Sequence, residues 1–96
     1  MMDAKTRKNV LARLRRIEGQ VKGIQRMIDE EKYCVDVILQ IAAAQAALAK
    51  SGKIVLGAHI QTCVVSALSS GSEAERQTKI DELLEVFDRY GSIKER

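Results

Sequence analysis

The sequence predicts an all-α fold of three helices in one domain over residues 1–96. The chain has no proline and only 3% aromatic residues, a composition that disfavours β-sandwiches and favours helices. A chain of 96 residues buries only a thin core by itself, so we expect an oligomer. Apolar residues near the N-terminus recur in steps of four and three, the heptad spacing of a helix that packs on another helix. They are Val10, Leu14, Ile17, Val21, Ile24 and Ile28.

The heptad pattern predicts a first helix over residues 4–29, followed by a polar turn at residues 29–32. A second helix is predicted from about Tyr33 to Leu68. It is apolar on more than one face, which is typical of a helix in the middle of an assembly. Residues 51–53 (SGK) interrupt its apolar pattern, but the segment contains no proline, so we predict one continuous helix.

The second helix is predicted to end at residues 69–71 (SSG), with Gly71 at the C′ position. Ser72 and Glu75 have the spacing of a capping box and therefore begin a third helix. This helix is predicted to stop at Gly91, and its apolar residues share one face. They are Ile80, Leu83, Leu84, Phe87 and Tyr90.

The charge distribution predicts binding to double-stranded DNA. Residues 1–26 contain eight basic and two acidic residues, whereas the rest of the chain carries a net charge of −3. A solvated charged face is the alternative, but few acidic residues are interspersed among the basic ones. No helix-turn-helix pattern or aromatic stacking platform is visible, so phosphate contacts and groove shape should dominate. Four of the cations step by seven, seven and four residues: Lys8, Arg15, Lys22 and Arg26.

The uninterrupted apolar stretches are shorter than the ~18–20 residues that span a bilayer, so we expect no membrane partner. The N-terminus is charged and does not resemble a secretion signal. We therefore expect a cytoplasmic protein whose two cysteines are free for metal or redox chemistry.

Cys34, His59 and Cys63 form a candidate metal site, provided that two copies of the chain contribute to it. His59 and Cys63 are four residues apart and share one helical face. Cys34 lies 25 residues before His59, roughly 37 Å away on a continuous helix, so it cannot reach them from the same helix. A second copy, antiparallel and crossing near residues 46–49 (AALA), brings Cys34 of one chain beside His59 and Cys63 of the other.

Two thiolates and one imidazole are a soft set of three ligands, which suits Cu(I) best. Zn²⁺ ranks second because its structural sites normally have four ligands, and Ni²⁺ or Co²⁺ ranks third. Two alternatives without a metal stay open at this point. His59 is a hydrogen-bonded core histidine, or Cys34 and Cys63 form a disulfide.

Three segments resemble the copper-sensing operon repressor (CsoR/RcnR) family. They are residues 13–24 (RLRRIEGQVKGI), 33–37 (YCVDV) and 59–64 (HIQTCV), and the resemblance extends over residues 7–90. It implies three helices per protomer, an antiparallel four-helix-bundle dimer, and a dimer of dimers that represses its operon when metal-free. It also implies Cu(I) ligation across the protomer boundary by Cys34, His59 and Cys63, with hydrogen-bonded support by Tyr33 and Glu82. DNA contacts are implied for Arg13 and Lys50, with Arg15 and Arg16 adjacent. Lys22 is expected to contact DNA because it lies in the basic stripe.

Departures from relatives in this family favour copper. Nickel and cobalt sensors carry a further histidine near the N-terminus, but His59 is the only histidine in this chain. The leading hypothesis is therefore a Cu(I)-responsive transcriptional repressor, acting as a homodimer or homotetramer on operator DNA. The alternative is a thiol- or persulfide-sensing repressor that uses Cys34 and Cys63. An enzyme is not expected, because no grouping of nucleophile, base and acid is present.

Overall fold

The computed structural model describes residues 2–94, with only the backbone described for Ser70 and residues 90–94. It is helical throughout apart from short turns, which confirms the all-α fold. Its elements are α1 (Ala4–Asp29), α2 (Cys34–His59), a π-helical turn (Ile60–Val64), α3 (Val65–Ser70) and α4 (Glu73–Lys94).

Helix α1 has the predicted bounds, and both of its ends are hydrogen-bonded. At the start, the Thr6 backbone N–H donates to Asp3 Oδ1 over 2.7 Å. At the end, Glu31 N–H donates to the Ile28 carbonyl, and Lys32 N–H donates to the Met27 carbonyl. This pair of bonds is a Schellman motif, and it places Glu31 in the left-handed region with φ 55°.

The second predicted helix is confirmed as continuous, because helical backbone runs without interruption from Cys34 to Ser70. Ser51 does not break it. The residue is buried, and its hydroxyl donates to the Ala47 carbonyl over 3.2 Å, so its polar group has a partner within the helix.

The chain forms two compact units, and the first comprises residues 3–55. The prediction of a single domain stays a prediction. The buried residues of this unit repeat every seven positions on each helix, which is the spacing of a helix-to-helix seam. Its apolar stripe on α1 is only half covered, since Leu14, Val21 and Ile28 are exposed. The buried set is Val10 and Ile17 on α1, and Val37, Ala44 and Ser51 on α2.

The second unit begins at Leu56 and contains the predicted capping box. Ser72 N–H donates to Glu75 Oε1 over 3.0 Å, and Glu75 N–H donates to Ser72 Oγ over 3.2 Å. Helix α4 passes through Gly91, so the predicted stop at Gly91 is wrong. A glycine within a helix costs only about 1 kcal/mol relative to alanine, which does not by itself end the helix. Tyr90, predicted on the apolar face, has a side chain outside the described part.

The prediction that Gly71 occupies C′ is also wrong. Gly71 is the C-cap of α3 itself, with an extended backbone at φ −81° and ψ 166° rather than a left-handed one. Glycine is nevertheless required here, because a Cβ atom would lie 2.6 Å from the Ala67 carbonyl oxygen.

The helical segment Cys34–Ser69 is long and apolar enough to cross a membrane by length and composition alone. The segment is longer than any uninterrupted apolar stretch of the sequence, because small and weakly polar residues lie between its apolar ones. Central helices of soluble assemblies have the same composition, so the observation is weak support for a membrane span.

Replacing Glu31 by glycine should stabilise the fold by about 1 kcal/mol, because glycine adopts the left-handed conformation without the Cβ penalty. Urea unfolding of Glu31→Gly and the unmodified chain measures this. Glu30→Gly is the matched control, since Glu30 has φ −88° and gains nothing from glycine. Equal changes in the free energy of unfolding for the two substitutions would contradict the left-handed conformation of Glu31.

Acid should weaken the start of α4. Hydrogen bonds from the Ser72 backbone N–H and then from its hydroxyl lower the pKa of Glu75 below its ordinary value of 4.5. A lowered pKa in the fold gives stability that is present above pH 4.5 and lost as the pH falls through the lowered pKa.

Urea midpoints measured between pH 7 and about pH 3 test this, with Glu75→Gln expected to lose less stability on acidification than the unmodified chain. Glu73→Gln is the control, because Glu73 lies in the same turn and its side chain makes no hydrogen bond within residues 2–94. Parallel pH profiles for the unmodified chain and Glu75→Gln would refute the expectation.

Candidate metal centre and nucleic-acid interface

His59 is the last residue of α2, and its imidazole is held by a carboxylate of α4. Its Nε2 lies 3.1 Å from Glu82 Oε1. The imidazole is only 22% exposed, whereas Glu82 is 49% exposed. When neutral His59 donates its Nε2 proton to Glu82, the lone pair of Nδ1 is left for a metal. The expected link between His59 and Glu82 is therefore present in the structure.

Lys79 also contacts Glu82, and this contact was not predicted from the sequence. Its Nζ lies 3.8 Å from the same Oε1 atom that faces His59. The i, i+3 spacing of the two residues on α4 was the available signal. Glu82 Oε1 therefore faces both the imidazole of His59 and the ammonium of Lys79.

Cys63 lies in the π-helical turn, and its thiol is partly buried. The turn is widened because the Val65 N–H donates to the Ile60 carbonyl, five residues back. The adjacent Thr62 hydroxyl donates to the Ala58 carbonyl over 2.8 Å and lies 3.6 Å from Cys63 Sγ. His59 thus comes directly before one irregular turn of helix and Cys63 lies within it, and such turns are frequently found at functional sites.

Cys34 is the first residue of α2, and its thiol is exposed. The preceding Tyr33 is 69% exposed, and its carbonyl accepts the Val37 N–H over 3.2 Å. Within residues 2–94 the Tyr33 side chain has no hydrogen-bond partner, and its expected supporting role stays a prediction.

One chain does not assemble the predicted metal site. Among the described residues, no three His, Cys, Asp or Glu side chains converge in a way that could hold a metal ion. The structure places His59 beside Glu82. The expectation that Cys34 serves His59 and Cys63 of another copy stays a prediction.

Four of the five predicted DNA-contacting residues are exposed. Arg13 is half-buried on α1, and its Nε donates to Asn9 Oδ1 over 3.1 Å. The other four are exposed and form no ion pair with any carboxylate in the part of the chain that the structure describes. Cations without local counter-charges are available to a polyanion. These four are Arg15, Arg16 and Lys22 on α1 and Lys50 on α2.

Comparison with known proteins identifies one family. The sequence pattern of the family described as metal-sensitive transcriptional repressor matches residues 6–89. The copper-sensing transcriptional repressor CsoR of Bacillus subtilis is 41% identical over 87 residues, covering 91% of this chain and 83% of that protein. The copper-sensing transcriptional repressor RicR of Mycobacterium tuberculosis is 49% identical over 63 residues, covering 66% of each chain.

Two solved structures share the fold. The copper-sensing repressor CsoR with Cu(I) from Geobacillus thermodenitrificans matches with a TM-score of 0.84 and 35% identity, covering 95% of this chain and 92% of that one. The nickel-responsive transcriptional regulator InrS matches with a TM-score of 0.71 and 31% identity, covering 86% of this chain and 90% of that one.

Proposed function

The chain belongs to the metal-sensitive transcriptional repressor family, and from that premise we propose that it is a Cu(I)-responsive repressor of the cytoplasm. It binds operator DNA when metal-free and releases the DNA when Cu(I) is bound. The observation that carries the proposal is the His59–Glu82 contact, which orients the imidazole four residues before Cys63 in the chain and leaves Nδ1 as the metal-binding nitrogen. The same family resemblance excludes an enzyme.

The available donors fit copper better than the other metals. His59 and Cys63 supply one imidazole and one thiolate from the same helical segment, and Cys34 of a second copy supplies another thiolate. When bound, Cu(I) provides a soft centre that accepts three such ligands. Nickel and cobalt prefer more nitrogen and oxygen donors, and His59 is the only histidine of the chain.

A second copy is needed to cover the apolar surface as well as to complete the ligand set. Ile38 is 62% exposed and Leu39 is 60% exposed on α2, and no side chain in the described range is less than 2% exposed. Exposed apolar residues in such numbers favour an interface with another chain. We therefore infer an antiparallel homodimer that pairs further into a homotetramer.

Glu82 and His59 provide a route from the ligands to the DNA-binding state. The Nδ1 atom of His59 ligates only while the proton sits on Nε2, and Glu82 holds that proton in place from α4. Reorientation of the imidazole therefore changes the hydrogen bond to α4. Couplings of this kind amount to about 1–3 kcal/mol, a fivefold to 150-fold change in affinity.

DNA affinity measured with and without Cu(I), anaerobically, tests the proposed function. The unmodified chain should bind its duplex at least about fivefold more weakly with Cu(I), whereas His59→Ala should bind DNA normally and show no response to Cu(I). The control is Gln61→Ala, an exposed residue in the same turn.

A response to sulfane sulfur that survives in His59→Ala, without any response to Cu(I), would instead establish the thiol-sensing alternative. Equal affinity of the unmodified chain with and without Cu(I) would reject copper-dependent repression.

Mixing two inactive variants should restore Cu(I) binding if the ligands come from two chains. Cys34→Ala keeps His59 and Cys63, while the double variant His59→Ala/Cys63→Ala keeps Cys34. Random exchange makes half of the dimers mixed, and each mixed dimer has one intact site of two. Cu(I) titration of the exchanged mixture should therefore recover about a quarter of the normal stoichiometry. Recovery of no binding, with normal binding by the exchanged unmodified chain, would place the ligands within one protomer.

A further inference from the structure

We propose that Asn9 is a positioning residue for Arg13, and that it orients the two terminal guanidinium nitrogens as a pair of hydrogen-bond donors towards DNA. The arginine would therefore bind a pair of acceptors, either phosphate oxygens or the guanine edge. This inference rests on the proposed DNA-binding function and adds to it the chemistry that one pair of side chains recognises.

A hydrogen bond joins the two side chains. Arg13 Nε donates to Asn9 Oδ1 over 3.1 Å, across one turn of α1. A guanidinium has five N–H donors in a rigid fork, and this bond uses the one nearest the stem. Its plane is thereby fixed, and both terminal nitrogens remain free for a bidentate contact.

The bond also determines what Asn9 can do. An asparagine that reads adenine uses its carbonyl oxygen and its amide nitrogen together. Here the bond from Arg13 takes one of the two lone pairs of that oxygen, so Asn9 serves to hold the arginine, and the two terminal guanidinium nitrogens are the paired donors left for DNA. Phosphate oxygens and the guanine O6 and N7 atoms are acceptors, whereas adenine presents a donor at N6.

The surroundings leave this pair available to DNA. Asn9 is exposed, and Arg13 forms no ion pair within residues 2–94. Arg16, three residues beyond Arg13 on the same side of α1, is exposed and likewise has no carboxylate partner. No acidic side chain of the described chain competes for the fork.

The test is a double-mutant cycle on a duplex that the unmodified chain selects from a random-sequence pool. Asn9→Ala should weaken metal-free binding by about two- to tenfold, the cost of ordering one long side chain on binding. In an Arg13→Ala background, Asn9→Ala should have no further effect. Loss of helix is not an explanation, because alanine forms helices better than asparagine. Gln25→Ala, an exposed amide elsewhere on α1, is the matched control.

Two further measurements show whether the pair binds guanine or phosphate. If the pair binds guanine, 7-deazaguanine in the duplex should weaken the unmodified chain and leave Asn9→Ala and Arg13→Ala unaffected. If it binds phosphate, the modified base should have no effect, and Arg13→Ala should lower the salt dependence by about one counterion. Either result supports the proposal.

The proposal is overturned if Asn9→Ala binds DNA as tightly as the unmodified chain does. It is also overturned if Asn9→Ala lowers the DNA affinity by the same factor whether or not Arg13 is present. Failure of the unmodified chain to select any duplex would overturn the proposed function as well, and the two failures are thus distinguishable.

Discussion

One copy of this chain cannot bury the apolar surface that its helices carry, and the rest of the structure depends on that constraint. The seam within residues 3–55 uses one residue in seven on each helix and leaves most of the apolar positions of α2 open. A helix of this composition is stable in water only when other helices surround it. In the proposed dimer the same partner completes both the core and the ligand set, so the proposal couples assembly to sensing.

Most of the helical architecture was predictable because it follows from local side-chain chemistry. The heptad pattern predicted the length of α1, and the absence of proline predicted that α2 continues past Ser51. The spacing of Ser72 and Glu75 predicted where α4 begins. The π-helical turn was not predictable, since it depends on which carbonyl the Val65 N–H reaches rather than on a side-chain pattern. The run of α4 past Gly91 shows that a glycine stops a helix only when the backbone also turns.

The candidate site was predictable only in part. The pairing of His59 with Cys63 follows from helical spacing, and the role of Glu82 came from resemblance to a family. The ion pair between Lys79 and Glu82 was not predictable, because charged pairs on exposed helices are common and usually add little to the free energy of unfolding. Joining Cys34 to the others required an argument about a second copy, which a single sequence supports only through geometry.

The widened turn between His59 and Cys63 changes what a one-residue deletion does to this helix. The turn accommodates an additional residue, so its loss returns the backbone to ordinary α-helical bonding without breaking the helix. The imidazole and the thiol then stand three positions apart instead of four, and both spacings keep two side chains on one helical face. The proposed ligand pair therefore stays on one side of the helix when one residue between His59 and Cys63 is deleted.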